Sequence, residues 1–149
     1  MQDILSIHFA PLQGYTEAFY RNAHAACFGG IDSYYTPFVR LEKGNFRRRD
    51  VRGIEPENNG VPHLIPQLIA SSAEKAEVIL SLFIEKGYQE VDINLGCPFP
   101  LLAKRHNGSG ILPYPEEVKA LLSIVTRYPQ ISFSVKMRLG WEQPDECLA

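Results

Sequence analysis

A chain of 149 residues, 45% apolar and 21% charged, can bury one substantial core and has ordinary globular composition, which excludes a disordered or low-complexity protein. Its formal charge of -2 gives no global attraction to nucleic acid, so any RNA contact must use local patches. The three cysteines, Cys27, Cys97 and Cys147, are odd in number and far apart, which argues against a disulfide framework or a paired-cysteine zinc site.

The opening MQDILSIHFAPLQG lacks the basic start and long apolar region of a signal peptide, and no stretch approaches the roughly 20 apolar residues of a membrane span. A cytoplasmic protein without a membrane association is expected. Leu5 to Leu12 reads as a first strand and Thr16 to Cys27 as a helix. A second strand is expected over Ser33 to Leu41, followed by the densest basic run, Arg47, Arg48, Arg49 and Arg52 near Lys43. That run reads as a solvated loop face, with phosphate contact as the alternative. His63 to Ala70 forms a third strand, and Ala73 to Lys86 a helix with Ser71 and Ser72 as cap candidates. Glu90 to Leu95 is a fourth strand. Pro115 to Arg127 is a helix with Pro at its start and Glu116 and Glu117 in the positive first turn, and Ile131 to Leu139 is a fifth strand.

Strands alternating with helices imply an α/β protein with parallel strands and right-handed crossovers. The strand ends near Pro11, Phe38, Gln67, Leu95 and Met137 lie 27, 29, 28 and 42 residues apart, and no GxGxxG follows the first strand. This favours a parallel (β/α) barrel of the TIM type over a doubly wound sheet. A complete barrel typically needs about 250 residues, so five strands make only its N-terminal part. The open edge calls for the rest of a barrel or for self-association to cover it.

In a barrel the reactive groups belong at the carboxyl ends of the strands. Those ends carry APLQG, PFVR, PQL, NLGCP and KMR. Extended to APLQGYTEAFYR, PQLIA, VDINLGCP with the later NGSGILPYPEEV, and SVKMRLGW, they resemble the successive signatures of the bacterial-type tRNA-dihydrouridine synthase family across the whole chain. The resemblance implies a barrel that binds flavin mononucleotide (FMN), takes electrons from NADPH or NADH, and converts uridine in tRNA to 5,6-dihydrouridine. It also implies a separate C-terminal helical domain, which these residues do not include.

The chemistry then suggests roles. Hydride addition to C6 of uracil leaves charge that a proton at C5 must quench, and Cys97 is the candidate proton donor, since a thiol is mostly protonated at neutral pH. Outside this motif, a lone cysteine is more often a small buried hydrophobe. Lys136 is expected to offer its cation where a reduced flavin gathers negative charge, or else to snorkel at a barrel rim. Gln67 offers a donor and an acceptor suited to the ring edge, where the resemblance places a flavin contact, or else closes a strand as an ordinary polar residue. Pro11, Leu12 and Gln13 are expected to approach the flavin through backbone groups, with Gly14 permitting the turn, or else to form a plain strand-to-helix loop. Asn94 is expected to read the uracil edge, or alternatively to bond its own backbone. Arg138 contacts flavin or substrate, with an ion pair nearly as plausible. No metal site is expected.

Phe99 to Pro113, carrying Lys104-Arg105-His106 and a flexible Asn-Gly-Ser-Gly, reads as a mobile lid that orders when RNA binds. Cys27 and Cys147 receive only structural readings, and Trp141, Tyr34 and Tyr35 are read as core before base stacking. Two rival readings stand beside the family one. The first is an FMN barrel of the dihydroorotate dehydrogenase kind, acting on a free pyrimidine. The second is a catalytically incompetent flavin- or RNA-binding fragment.

Overall fold

The computed structural model describes residues 5–148. Strands β1 (His8–Phe9), β2 (Ser33–Tyr35), β5 (Leu64–Ile65), β6 (Gln67–Leu68), β7 (Glu90–Leu95) and β8 (Ser132–Met137) are all parallel. They form two three-stranded sheets, ordered β1-β2-β5 and β6-β7-β8, and a bridge from Val39 to Leu68 links the line of β2 to β6. Because β5 and β6 are two halves of one strand, five strand lines follow one another in chain order. With right-handed crossovers, an order that never reverses puts every connecting helix on the same face. This α/β arrangement is consistent with part of a parallel barrel and not with a doubly wound sheet, whose order must reverse.

The first three strands are shorter than their apolar runs suggest, and proline is the reason. Pro11, Pro37 and Pro66 each stand one or two residues past β1, β2 and β5, where a missing N–H ends the ladder. Across Pro66 the chain still runs on, since its carbonyl accepts from Asp92 N at 3.0 Å. β7 and β8 contain no proline and pair over six consecutive residues.

Between β2 and β5 the chain forms a hairpin and a helix. A hairpin joins β3 (Leu41–Glu42) to β4 (Asn45–Phe46) through Lys43 and Gly44, both at positive φ (51° and 80°), the conformation of a tight two-residue hairpin turn. Helix α2 (Arg48–Ile54) then carries most of the arginine run.

The helices α1 (Ala18–Cys27), α3 (Ala73–Glu85) and α5 (Pro115–Arg127) fall where the periodicity puts them. Ser72 caps α3, accepting from Lys75 N, and Pro115 opens α5. The main core joins Ile79, Leu80 and Phe83 of α3 and Leu121 and Ile124 of α5 to Val91, Ile93 and Leu95 of β7. Arg21 of α1 is fully buried and donates to the carbonyls of Thr16 (2.6 Å) and Gly53 (2.7 Å) and to Asn59 Oδ1 (2.6 Å), tying α1 to the end of α2. Burial lowers its pKa to about 10. Among the described residues no helix is long and apolar enough to cross a membrane.

Candidate active site

Every residue of β7 from Val91 to Leu95 is buried, yet two of them are polar. Side chains alternate along a strand, so Val91, Ile93 and Leu95 enter the main core while Asp92 and Asn94 face the other way. Register extends that polar face across three strands. Gln67 of β6 and Ser134 of β8 stand beside Asp92, and Lys136 stands beside Asn94.

These groups form a hydrogen-bonded chain. Ser134 Oγ donates to Asp92 Oδ1 (2.7 Å), and Gln67 Nε2 donates to Asp92 Oδ2 (2.6 Å). Asn94 Nδ2 donates to Gln67 Oε1 (2.8 Å), and Asn94 Oδ1 accepts from Gly96 N (3.1 Å) and Cys97 N (2.9 Å). Thr36 Oγ1 fixes Gln67 from the other side by accepting from its backbone N–H at 3.0 Å. Burial pushes the Asp92 carboxyl up, against the lowering effect of its two hydrogen bonds and of Lys136. Asp92, Ser134 and Thr36 were not singled out as site residues. Their signal is a polar residue at alternate positions of an otherwise apolar strand.

A cavity of about 340 Å³ opens above this chain at the carboxyl ends of the strands. All eight residues singled out from the sequence border it: Pro11, Leu12, Gln13, Gln67, Asn94, Cys97, Lys136 and Arg138. Its volume sits at the small end of the roughly 300–1,000 Å³ usual for ligand sites. Both polar atoms of the Gln13 side-chain amide are buried with no hydrogen-bond partner among the described residues. Buried amides are normally paired, and this one leaves a donor and an acceptor unused by the described residues.

Two residues with expected contacts already use part of their hydrogen-bonding capacity within the chain. Both lone pairs of Asn94 Oδ1 are taken by the Gly96 and Cys97 amides, so Asn94 has one N–H left and no acceptor with which to read both atoms of a uracil edge. The alternative reading, an asparagine bonded to its own loop, describes its geometry. Leu12 cannot offer its backbone N–H either, because it donates to Thr16 Oγ1 (2.9 Å), and its carbonyl closes the turn onto Tyr15 and Thr16. Gly14 adopts φ 85° in that turn. Arg138 is exposed and donates through Nε to Gly96 O at 3.1 Å, and among the described residues it forms no ion pair.

In this structure the stretch after Cys97 is packed against the site. Gly108, Ser109, Gly110 and Ile111 form a buried 3-10 turn, and Ser109 donates to the Cys97 carbonyl through both N (3.0 Å) and Oγ (3.1 Å). A Cβ on Gly110 would strike the Ala103 backbone. Leu102 of the short helix α4 (Pro100–Ala103) packs with Phe38 and Ile69, and Cys97 lies against them. His106 stacks on Tyr114 and shares a 2.7 Å bond with Glu117.

The basic run divides. Arg47 holds Asp50 through two bonds of 2.7 and 2.8 Å and, with Arg49, borders a second cavity beside Cys97, whereas Arg52 borders a separate hollow with Glu17 and Asn58. Cys27 is exposed, and the side chain of Cys147 lies outside the described residues. Tyr34 is core, whereas Trp141 is 45% exposed. No group of residues among those described could hold a metal ion.

Comparison with known proteins agrees with this geometry. Residues 8–149 match the family model described as Dihydrouridine synthase (Dus). The chain is 29% identical to the tRNA-dihydrouridine(16) synthase of Haemophilus ducreyi, in an alignment covering 99% of this chain and 47% of that protein. It is 29% identical to the probable tRNA-dihydrouridine synthase 1 of Synechocystis sp., over 89% of this chain and 37% of that protein. It is 33% identical to the tRNA-dihydrouridine synthase B of Klebsiella pneumoniae, over 51% of this chain and 24% of that protein. The chain thus spans at most about half the length of these relatives. A family match over nearly the whole sequence, with its signature residues around one cavity, means that this chain belongs to the dihydrouridine synthase family.

Proposed function

We propose that the protein carrying this sequence reduces the C5–C6 double bond of uridine in tRNA, with FMN as resident cofactor and NADPH or NADH as reductant. On this reading residues 1–149 are the N-terminal part of an FMN-binding (β/α)8 barrel: the next strand pairs along the free edge of β8, and a following helix covers Val135 and Met137, which are 41% and 47% accessible on the face that Ile93 and Leu95 present to the helices. The observation that carries the proposal is the meeting of Cys97, Gln67 and Lys136 around one cavity with the unpaired Gln13 amide. The family match favours this reading over a dihydroorotate-oxidising barrel.

The residues present suit a flavin. Gln13 brings a whole unpaired amide, and Gln67 retains one N–H and one lone pair after its bonds to Asp92 and Asn94. Lys136 adds a cation on the same face. When bound, a reduced flavin supplies the hydride that adds to C6 of the uracil ring. Cys97 releases its thiol proton to C5, which completes the saturated bond, and the thiolate regains a proton from solvent. Asn94 and the Ser109 contacts hold the Cys97 backbone so that the sulfur keeps its aim. Lys136 steadies negative charge as it develops.

Cys97→Ala in this protein is expected to retain flavin and its reduction by NADPH while dihydrouridine formation in unmodified tRNA falls by about 10²–10⁴, the usual worth of a general acid. Unchanged product formation would defeat the assignment.

A further inference from the structure

Beside the Cys97 cavity lies a second one of about 310 Å³, and the two share Gln13, Phe38 and Cys97 as a common wall. Its far side is lined by three arginines, Arg40, Arg47 and Arg49. Among the described residues two carboxylates stand against them. Asp50 is committed to Arg47 and reaches Arg49 at a longer 3.6 Å, and the exposed Glu42 lies 3.8 Å from Arg40. Arg40 Nε is buried with no hydrogen-bond partner among the described residues. Burial and the neighbouring Arg47 charge both depress the Arg40 pKa, so the pocket holds positive charge that the protein leaves incompletely compensated.

We infer that Arg40 and Arg49 form a phosphate site for the RNA strand, gripping a phosphodiester next to the uridine whose base enters the Cys97 cavity. This rests on the function proposed above. A base can reach a recessed thiol only by leaving the stack, and its backbone must then be held where the base leaves the strand. Gln13, Phe38 and Cys97 border both cavities, which places a base beside Cys97 and the arginines that match its phosphate on adjacent sides of one boundary. Arg47, held by Asp50, braces the site from within. Electrostatic grip from a local patch also explains how a chain of net charge -2 engages RNA.

The test measures binding of an unmodified tRNA transcript across a salt series in the protein carrying this sequence. Arg40→Gln and Arg49→Gln are compared with Arg52→Gln, which removes the same charge from α2 at a different hollow. Each of the first two should weaken binding several-fold at low salt and make the salt slope shallower by about one, the signature of one lost phosphate contact, while Arg52→Gln keeps the parent slope. Equal slopes in all three variants and the parent would overturn the site. Arg40→Gln and Arg49→Gln raising the KM for NADPH in flavin reduction, with tRNA binding intact, would assign the phosphate to the reductant and also overturn it. The enzymatic reading is scored separately, by whether the unsubstituted protein forms dihydrouridine, so either idea can fail while the other stands.

Discussion

Gly108 is the residue on which the placement of Cys97 turns, and substituting it tests that idea quantitatively. It sits at φ 60°, and a Cβ there would lie 2.6 Å from Cys97 O, 2.9 Å from Cys97 Cβ and 3.0 Å from Cys97 N. Those are backbone and Cβ atoms, which no rotamer change can move. Gly14 is the natural control, because it has φ 85° with nothing within 4 Å of a built Cβ. Both alanine variants gain about 0.4–1 kcal/mol from a stiffer unfolded chain. Both lose about 1–2 kcal/mol for a left-handed backbone. Those contributions cancel in the comparison. What remains for Gly108→Ala is overpacking, about 1–3 kcal/mol in a tight interior. Urea unfolding of the two variants beside the parent, with slopes checked for equality, measures the difference. A Gly108→Ala variant no less stable than Gly14→Ala would refute the claim that this glycine exists to let the turn close on Cys97.

Two further outcomes follow from the polar chain beneath the cavity. Asn94→Ala leaves the Gly96 and Cys97 amides without their acceptor and should cost about 1–3 kcal/mol. It should also speed labelling of Cys97 by a thiol reagent, in a background where Cys27 and Cys147 are serine, and an unchanged labelling rate would count against a positioning role. For Asp92 the folded-state pKa is raised, so the folded protein binds this proton more readily than the unfolded chain does. Its ionised form costs stability at neutral pH, and that cost is relieved as pH falls through the folded value toward the unfolded one. Asp92→Asn lacks this relief, so the stability difference between variant and parent should shift steadily in the parent's favour from neutral to mildly acidic pH. A difference that stays constant over that range would show that burial does not perturb this carboxyl.

Much of the site was legible in the sequence because its signals are local. Strand ends that carry Pro-Leu-Gln, Pro-Phe-Val-Arg, Pro-Gln-Leu, Asn-Leu-Gly-Cys-Pro and Lys-Met-Arg recur at near-regular intervals with one insertion before the last, and parallel strands in chain order must bring such ends to the same rim. The α3 and α5 helices and strands β7 and β8 were equally readable, since their periodicity is long and uninterrupted. The prolines that shorten β1, β2 and β5 were visible, but their effect depends on which neighbour lacks a donor.

By itself the sequence determined which residues reach the cavity and which family they resemble, because periodicity and motif are properties of nearest neighbours along the chain. Only the tertiary structure decided what each group does with its hydrogen bonds. Gln67 meets Asp92 across 25 residues and Ser134 meets Asp92 across 42, distances along the chain at which no local pattern specifies a partner. For Asn94 the bonds to the Cys97 loop are local, and only its bond to Gln67, 27 residues away, lies beyond any local pattern. The arginine run also lies beyond such a pattern: its members border two different hollows, Arg49 with Arg40 and Arg52 with Glu17 and Asn58, although the i,i+3 spacing of Arg49 and Arg52 on α2 sets them near one helix face.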